Sequence, residues 1–353
     1  MQGTEAKAHS CSTFLFENGP SLFVGHNLDD YIDVPGLVVV NKRGIKKSNI
    51  GWGELVSGLS ETAKRLYWTS KYGSITYTAR GRECIDGGLN EAGLYIGEMT
   101  LLETQYPQDD SRPKIYQVLW MQYVLDSFET VPEVLAHLDE FEIDDTCRWH
   151  FFICDRDGNA ATIEFLDQKP VIHTGPDLIA KLLCNDTYQN ELQRLKKYQG
   201  FGGDRPLDQE DGDMRFVWGA AMLTNGVQTG QTPLEYAIDI LTRIRGESNR
   251  WGIIYDIPLR RIYFRTNEAR EFRYVDFSAF DFSPDAPSLI LDINEELQGD
   301  VTSYFKPYSD SINKEYIAKF WANVDWGDDF NSNTRPVLLE NSSKYVMNIE
   351  REP

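Results

Sequence analysis

Cys11-Ser12-Thr13-Phe14-Leu15-Phe16-Glu17-Asn18-Gly19-Pro20-Ser21-Leu22-Phe23-Val24-Gly25-His26-Asn27-Leu28-Asp29-Asp30 reads as a β-hairpin. Two short runs of aromatic and β-branched residues flank an Asn-Gly-Pro turn. An antiparallel pair brings the first residue of one strand beside the last of the other. The Cys11 thiol is therefore expected beside His26, Asn27, Asp29 and Asp30. A thiol next to a carboxylate and an imidazole is a candidate nucleophile with its orienting groups. The plainer reading of a strand Cys is a small apolar core residue, so the rest of the chain has to decide.

The chain has 353 residues, 41% hydrophobic and 12% aromatic, enough to bury a sizeable core. Its formal net charge of -20 argues against nucleic acid and anionic membrane surfaces as partners. No apolar run approaches the ~20 residues of a membrane-spanning helix. The five cysteines, Cys11, Cys84, Cys147, Cys154 and Cys184, include no CxxC pair, and HExxH is absent. Neither a zinc ribbon nor a zinc hydrolase is indicated. The four later cysteines read as core residues.

Met1 to Ser10 lack the apolar stretch of a signal peptide. Ala8 and Ser10 are nonetheless small residues three and one positions before Cys11, as at a signal-peptidase site. The segment reads as the remnant of a trimmed leader or as a tail. The first would put the protein in the periplasm or outside the cell, the second in the cytoplasm.

Further along, Leu37–Val40, residues 67–72 and residues 74–78 read as strands, and the second half of 86–100 as another. Apolar residues at 115, 118, 119, 121, 124 and 125 mark a helix over 114–126. Thr130 caps a second helix with Pro132 in its first turn. Strands at 149–155 and 161–165 flank a turn. Its Asp155, Asp157 and Asn159 are too closely spaced for a calcium loop. Helices follow at 189–198, 214–223 and 232–245, then strands at 251–256, 261–266 and 272–276. Beyond about residue 307 no periodic element stands out. Blocks of strands and helices, with no fixed repeat, indicate α+β layers.

Four features resemble the choloylglycine hydrolase and penicillin V acylase family of N-terminal-nucleophile hydrolases, and its Gram-negative members more than the others. They are Cys11; Gly25-His26-Asn27-Leu28-Asp29 for the family's G-R-N-L/M-D; Gly87-Gly88-Leu89-Asn90-Glu91-Ala92-Gly93-Leu94 for D-G-x-N-E-x-G-L; and Asn185 after Leu182-Leu183-Cys184, with Arg215 opening Met214-Arg215-Phe216-Val217. Glu103-Thr104-Gln105-Tyr106-Pro107 adds the E-S-x-Y-P of the Gram-negative members. The match runs from Cys11 to about Val301.

The resemblance implies a four-layer αββα fold, with residues 1–10 removed to free Cys11. Residues 11–353 then form one domain with an extension from about 307. It implies hydrolysis of a linear non-peptide amide through a thioester, with no metal or organic cofactor. The substrate would be a conjugated bile acid, penicillin V or an N-acyl amide, a small molecule with an apolar acyl group. Cys11 would be the nucleophile and its own α-amine the base. Asp29 would hold the amine, Arg215 would lower the thiol pKa, and Asn185 with the Thr100 N–H would bind the oxyanion. Leu22, Phe23, Ile32, Leu101 and Tyr106 are candidate pocket residues.

Gly87 stands where the family motif has Asp, and two further positions depart near the nucleophile. Thr100 stands where Asn, Tyr or Trp is usual. His26 replaces Arg and would carry its charge only below pH ~6.5. Those two departures keep open a second reading, a lapsed member that binds an acyl ligand without cleaving it. A Cys–His peptidase lacks a flanking signature. The Asn185-Asp186-Thr187 sequon and Asn90-Glu91 read as bland features, the latter a turn with Gly93 at positive φ. The chain between Asn185 and Arg215 is shorter than in Gram-positive members, which place a tetramer-building hairpin there. Self-association is therefore left open.

Overall fold

The computed structural model describes residues 10–108, 111–144 and 147–351. The expected hairpin forms, with strands Ser12–Asn18 and Ser21–Asp29 paired so that Ser12 faces Asn27 and Thr13 faces His26. It supplies the second and third strands of a seven-stranded sheet. Leu182–Leu183 lies on one side of it; Asn249–Asp256, Arg261–Thr266, Arg273–Asp276 and Gly299–Asp300 follow on the other.

A nine-stranded sheet faces it. Its order is Lys169–Thr174, Ala160–Leu166, Trp149–Cys154, Tyr95–Thr100, Gly87–Asn90, Ser74–Thr78, Leu37–Asn41, Leu289–Asp292 and Lys306–Pro307. Strand alternation explains how the layers meet. Thr13 and His26 point inward: the Thr13 hydroxyl lies 3.1 Å from the Met99 sulfur on the opposite sheet. Tyr95 and Tyr77 reach across to Tyr255, with ring centroids 4.9 and 6.1 Å apart. Ser12 and Asn27 point outward, donating to the carbonyls of Ile244 and Leu241.

Helices Arg215–Asn225 and Pro233–Arg243 cover that outer face, with Tyr236 against Phe16 at 5.3 Å. Helix Gln117–Ser127 covers the other sheet, with Trp120 against Phe151 at 4.8 Å. The result is the αββα sandwich that the resemblance implied. Residues 67–72 and 74–78 do not share a sheet: Tyr67–Thr69 pairs with Lys46–Ser48 in a separate ribbon.

Residues beyond 307 contain helices Asp310–Ala322 and Arg335–Arg351. They pack back on the body of the molecule. Asn313 accepts from the Arg82 N–H at 2.8 Å, Asn341 donates to Leu55 O at 3.0 Å, and Trp321 lies 5.7 Å from Trp52. Cys154 and Cys184 are buried, Cys84 and Cys147 partly so, and no disulfide joins any of the described cysteines. Among the described residues no helix is long and apolar enough to cross a membrane.

The Asn90-Glu91 turn is structural, and Gly93 has φ of +91° as expected. Asn90 is buried and saturated. Its amide donates to Leu125 O and Phe128 O at 2.9 and 2.8 Å, capping the helix end, and its oxygen accepts the Ala92 and Leu94 N–H groups. Asn90→Ala would strand buried donors and acceptors, each worth roughly 1–3 kcal/mol. Urea denaturation should show a loss of about 3 kcal/mol. A loss under about 0.5 kcal/mol would mean that the turn holds without it.

Candidate active site

Cys11 precedes the central strand and is 2% exposed. Its thiol donates weakly to the backbone carbonyl of Asp29 at 3.7 Å. The pKa of the thiol is pushed well up, first by burial and then by the carboxylates of Glu98 and Asp29. The ground state with Ser10 still attached is therefore a neutral thiol. Arg215, whose guanidinium meets Cys11 at its carbonyl, does not prevent that rise.

The partners of Arg215 are informative. Arg215 Nη1 donates to Ser10 O and, at 3.0 Å, to Cys11 O. Nη2 donates to Asn185 Oδ1 at 3.1 Å, and Nε lies 3.0 Å from each oxygen of Asp213. Burial works against the charge, but Cys184, Asp213 and Asp29 outweigh it and hold the guanidinium above its ordinary pKa. One cation thus ties the two carbonyls around the Ser10–Cys11 bond to the Asn185 side chain.

The Asn185 amide donates to Thr100 O at 2.8 Å. Thr100 lies opposite Trp149, and the next N–H, Leu101, donates to Arg148 O at 2.9 Å. In an antiparallel ladder a residue's N–H and C=O point to the same side, and the side alternates. The Thr100 N–H therefore points with its carbonyl toward Asn185. The Asn185 amide and the Thr100 N–H thus lie at one edge of the strand.

Asp29 is buried, and neither carboxylate oxygen completes a hydrogen bond among the described residues. Burial pushes its pKa up to about 7, against Arg215, the Asn249 amide and the Gly246 N–H, which lie near enough to favour the charge without forming well-aligned bonds. Gly246 has a steric reason to be Gly: a Cβ there would lie 2.4 Å from Ser10 Cβ and 2.8 Å from Asp29 Oδ1. The turn before Asn249–Asp256 thus closes directly over the Ser10–Asp29 contact.

Other candidates are not brought together. His26 is buried, its Nδ1 lies 2.7 Å from Thr13 Oγ1, and its Nε2 has no partner among the described residues. Burial lowers its pKa to about 4. The ring is neutral through the working range, so the expected titration near 6.5 and the positive potential on the thiol are both corrected. Leu22 and Phe23 sit at the turn end of the hairpin; Phe23 stacks on Phe16 at 6.5 Å. At ~3.4 Å per residue they are about 20 Å from the thiol end and cannot line its pocket. Tyr106 packs on Phe165 at 5.1 Å and is core. Ile32 and Leu101 stay near the site, just past Asp29 and Thr100. Glu98, Asp213 and Gly246 were missed. Only the two-residue spacing from Glu98 to Thr100 and from Asp213 to Arg215 could have pointed to the first two. Residues 1–9 of the proposed leader lie outside the described residues.

The folded pKa of Asp29 lies above its ordinary ~3.9, so the fold retains a proton that the unfolded chain releases. That stabilisation is complete below the unfolded pKa and is lost as pH rises through about 7. In a Cys11→Ala background, which keeps Ser10 attached, Asp29→Asn should be little changed near pH ~4 and more stable than its parent near pH ~8. Denaturation midpoints across that range measure it. A difference independent of pH would show that this carboxyl does not titrate there.

Known proteins share both sequence and fold with this chain. Residues 11–277 match the linear amide C–N hydrolases of the choloylglycine hydrolase family. Penicillin V acylase from Pectobacterium atrosepticum is 25% identical over 295 residues, 69% of this chain and 77% of that protein. The structure of penicillin V acylase from Agrobacterium tumefaciens superposes with a TM-score of 0.71 at 22% identity, covering 85% of this chain and 98% of that one. A variant of conjugated bile acid hydrolase from Clostridium perfringens gives a TM-score of 0.64 at 16% identity over 85% and 97% of the two chains. The match over residues 11–277, on a fold shared with both structures, places this chain in the choloylglycine hydrolase family of linear amide C–N hydrolases.

Proposed function

We propose that this hydrolase uses Cys11, freed as the first residue, to cleave a linear amide through a thioester. The observation that carries the reading is the Arg215 bridge, which joins the carbonyls of Ser10 and Cys11 to the Asn185 side chain. The same guanidinium addresses the bond to be removed and the donor that serves the later reaction.

In the precursor, the Cys11 sulfur adds to the Ser10 carbonyl carbon while Arg215 takes the developing charge on Ser10 O. The C–N bond breaks and its electrons go to the Cys11 nitrogen, which takes up the thiol proton. Water then hydrolyses the thioester and residues 1–10 leave with a new carboxylate. The freed α-amine has an ordinary pKa of about 8. As an ammonium it supplies the partner that the buried Asp29 lacks. A positive charge now stands among Glu98, Asp29 and Asp30, which alone disfavour the thiolate.

In turnover, the amine takes the thiol proton and sulfur adds to the substrate carbonyl carbon. The oxyanion forms between Asn185 Nδ2 and the Thr100 N–H. Collapse expels the amine product, which takes the proton from the α-ammonium. Water, deprotonated by the same amine, hydrolyses the thioester and releases the acid. No metal or cofactor is needed. Ile32, partly buried just past Asp29, is the remaining sequence candidate for the acyl side of this path, since Leu101 is fully buried. The acyl group is apolar, as in penicillin V or a conjugated bile acid, the substrates named for the relatives.

Cys11→Ser should abolish amidase turnover and leave the fold intact, since one sulfur-to-oxygen change barely alters packing. Full activity of that variant on any amide that its parent cleaves would overturn the nucleophile. Asn185→Ala should lower kcat by about 10²–10³. A change of only about twofold would mean that another group receives the oxyanion.

A further inference from the structure

A buried polar clamp lies behind Asn185, and none of the chemistry above uses it directly. His150 stands on the strand Trp149–Cys154, opposite Met99 and one register position from the Thr100–Trp149 pair. Its Nε2 lies 2.7 Å from Cys184 O. A carbonyl only accepts, so Nε2 carries a proton there. Its Nδ1 lies 3.2 Å from Glu164 Oε1, on the neighbouring strand Ala160–Leu166. That same oxygen accepts the Tyr188 N–H at 2.8 Å. The second oxygen faces His173 Nε2 at 3.8 Å. His150, Glu164, Cys184 and Tyr188 are all 0% exposed.

The clamp therefore crosses between the sheets and grips the chain on both sides of Asn185. One hold is the carbonyl of the residue before it, the other the N–H three residues after it. The side chain of Asn185 is fixed separately, by Arg215 and Thr100. His150 and the Thr100 donor also share a strand pairing, so the backbone of Asn185 and the N–H of Thr100 are referenced to one element. An oxyanion site works only when its donors are fixed before charge develops.

We propose that His150 and Glu164 are positioning residues that hold the Cys184–Tyr188 turn so that the Asn185 amide and the Thr100 N–H converge on one oxyanion. The inference rests on the function proposed above and deepens it. A clamp that only stabilised the fold would lower the unfolding midpoint of every variant alike. A positioning clamp acts through Asn185 and is silent when the Asn185 amide is gone.

The test is a double-mutant cycle on the processed protein. It reads single-turnover acylation of Cys11 by p-nitrophenyl phenylacetate and steady-state hydrolysis of penicillin V. His150→Leu should slow acylation about 10-fold to 100-fold, less than loss of the donor itself, and lower kcat with KM little changed. In an Asn185→Ala background the same change should add less than about twofold. His150→Gln, which can still donate to Cys184 O, should recover most of the rate. If His150→Leu does not fold, Glu164→Gln tests the same clamp with no loss of volume and should show the same dependence on Asn185. Equal losses with and without the Asn185 amide, or a loss entirely in KM, would overturn the positioning role. Failure of the ester to acylate Cys11 in the parent protein would instead overturn the proposed function, and the positioning role with it.

Discussion

The geometry of the site depends on one buried cation. The Arg215 guanidinium is held by Asp213 and reaches the Ser10 and Cys11 carbonyls and the Asn185 oxygen together. A buried guanidinium is costly unless its donors are satisfied and a negative charge lies near it. Here both conditions hold, and they fix three segments far apart in sequence. The start of the central strand, the turn after Leu182–Leu183 and the start of helix Arg215–Asn225 are locked by one side chain. Removing it would leave Asp213 unpaired and two carbonyls unserved.

That arrangement also gives the reason for the amine in the proposed mechanism. Burial and the carboxylates around Cys11 all oppose ionisation. Arg215 is directed to carbonyls and His26 is neutral, so neither compensates. The group that can is the α-amine of Cys11, which does not exist while Ser10 is attached. In the proposed mechanism Asp29 receives it, as a buried carboxyl whose oxygens complete no well-aligned hydrogen bond among the described residues. The two perturbed groups are complementary: an ammonium beside Asp29 would lower the Asp29 pKa and the thiol pKa at once.

Much of this was legible in the sequence because it rests on short-range patterns. The Asn18-Gly19-Pro20 turn between two β-branched and aromatic runs fixed the hairpin, and the hairpin fixed which residues lie near Cys11. Thr130 caps its helix as expected, and Glu133 completes a capping box not anticipated from the sequence. What was not legible depends on strand direction and burial. Leu22 and Phe23 are close to Cys11 in sequence, but the strand carries them to the other end of the sheet. His26 was expected to titrate near pH ~6.5 beside the thiol, yet alternation turns it into the space between sheets, where desolvation disfavours its charge. The last two helices set Trp321 against Trp52 and Tyr345 against the Ser48 carbonyl, so their apolar residues answer to distant segments and form no simple stripe. Glu98 and Gly246 matter only through the neighbours that folding gives them.

The central claim is that one residue, Cys11, supplies both the amine and the acyl-carrying sulfur. Intact-mass analysis of the purified protein, before and after brief exposure to an activated acyl ester with acid quenching, tests both at once. The account predicts a chain that begins at Cys11 and gains one acyl group, found by peptide mapping on the Cys11 sulfur. A fully active protein that still carries Ser10, or an acyl group on any other residue, would contradict it.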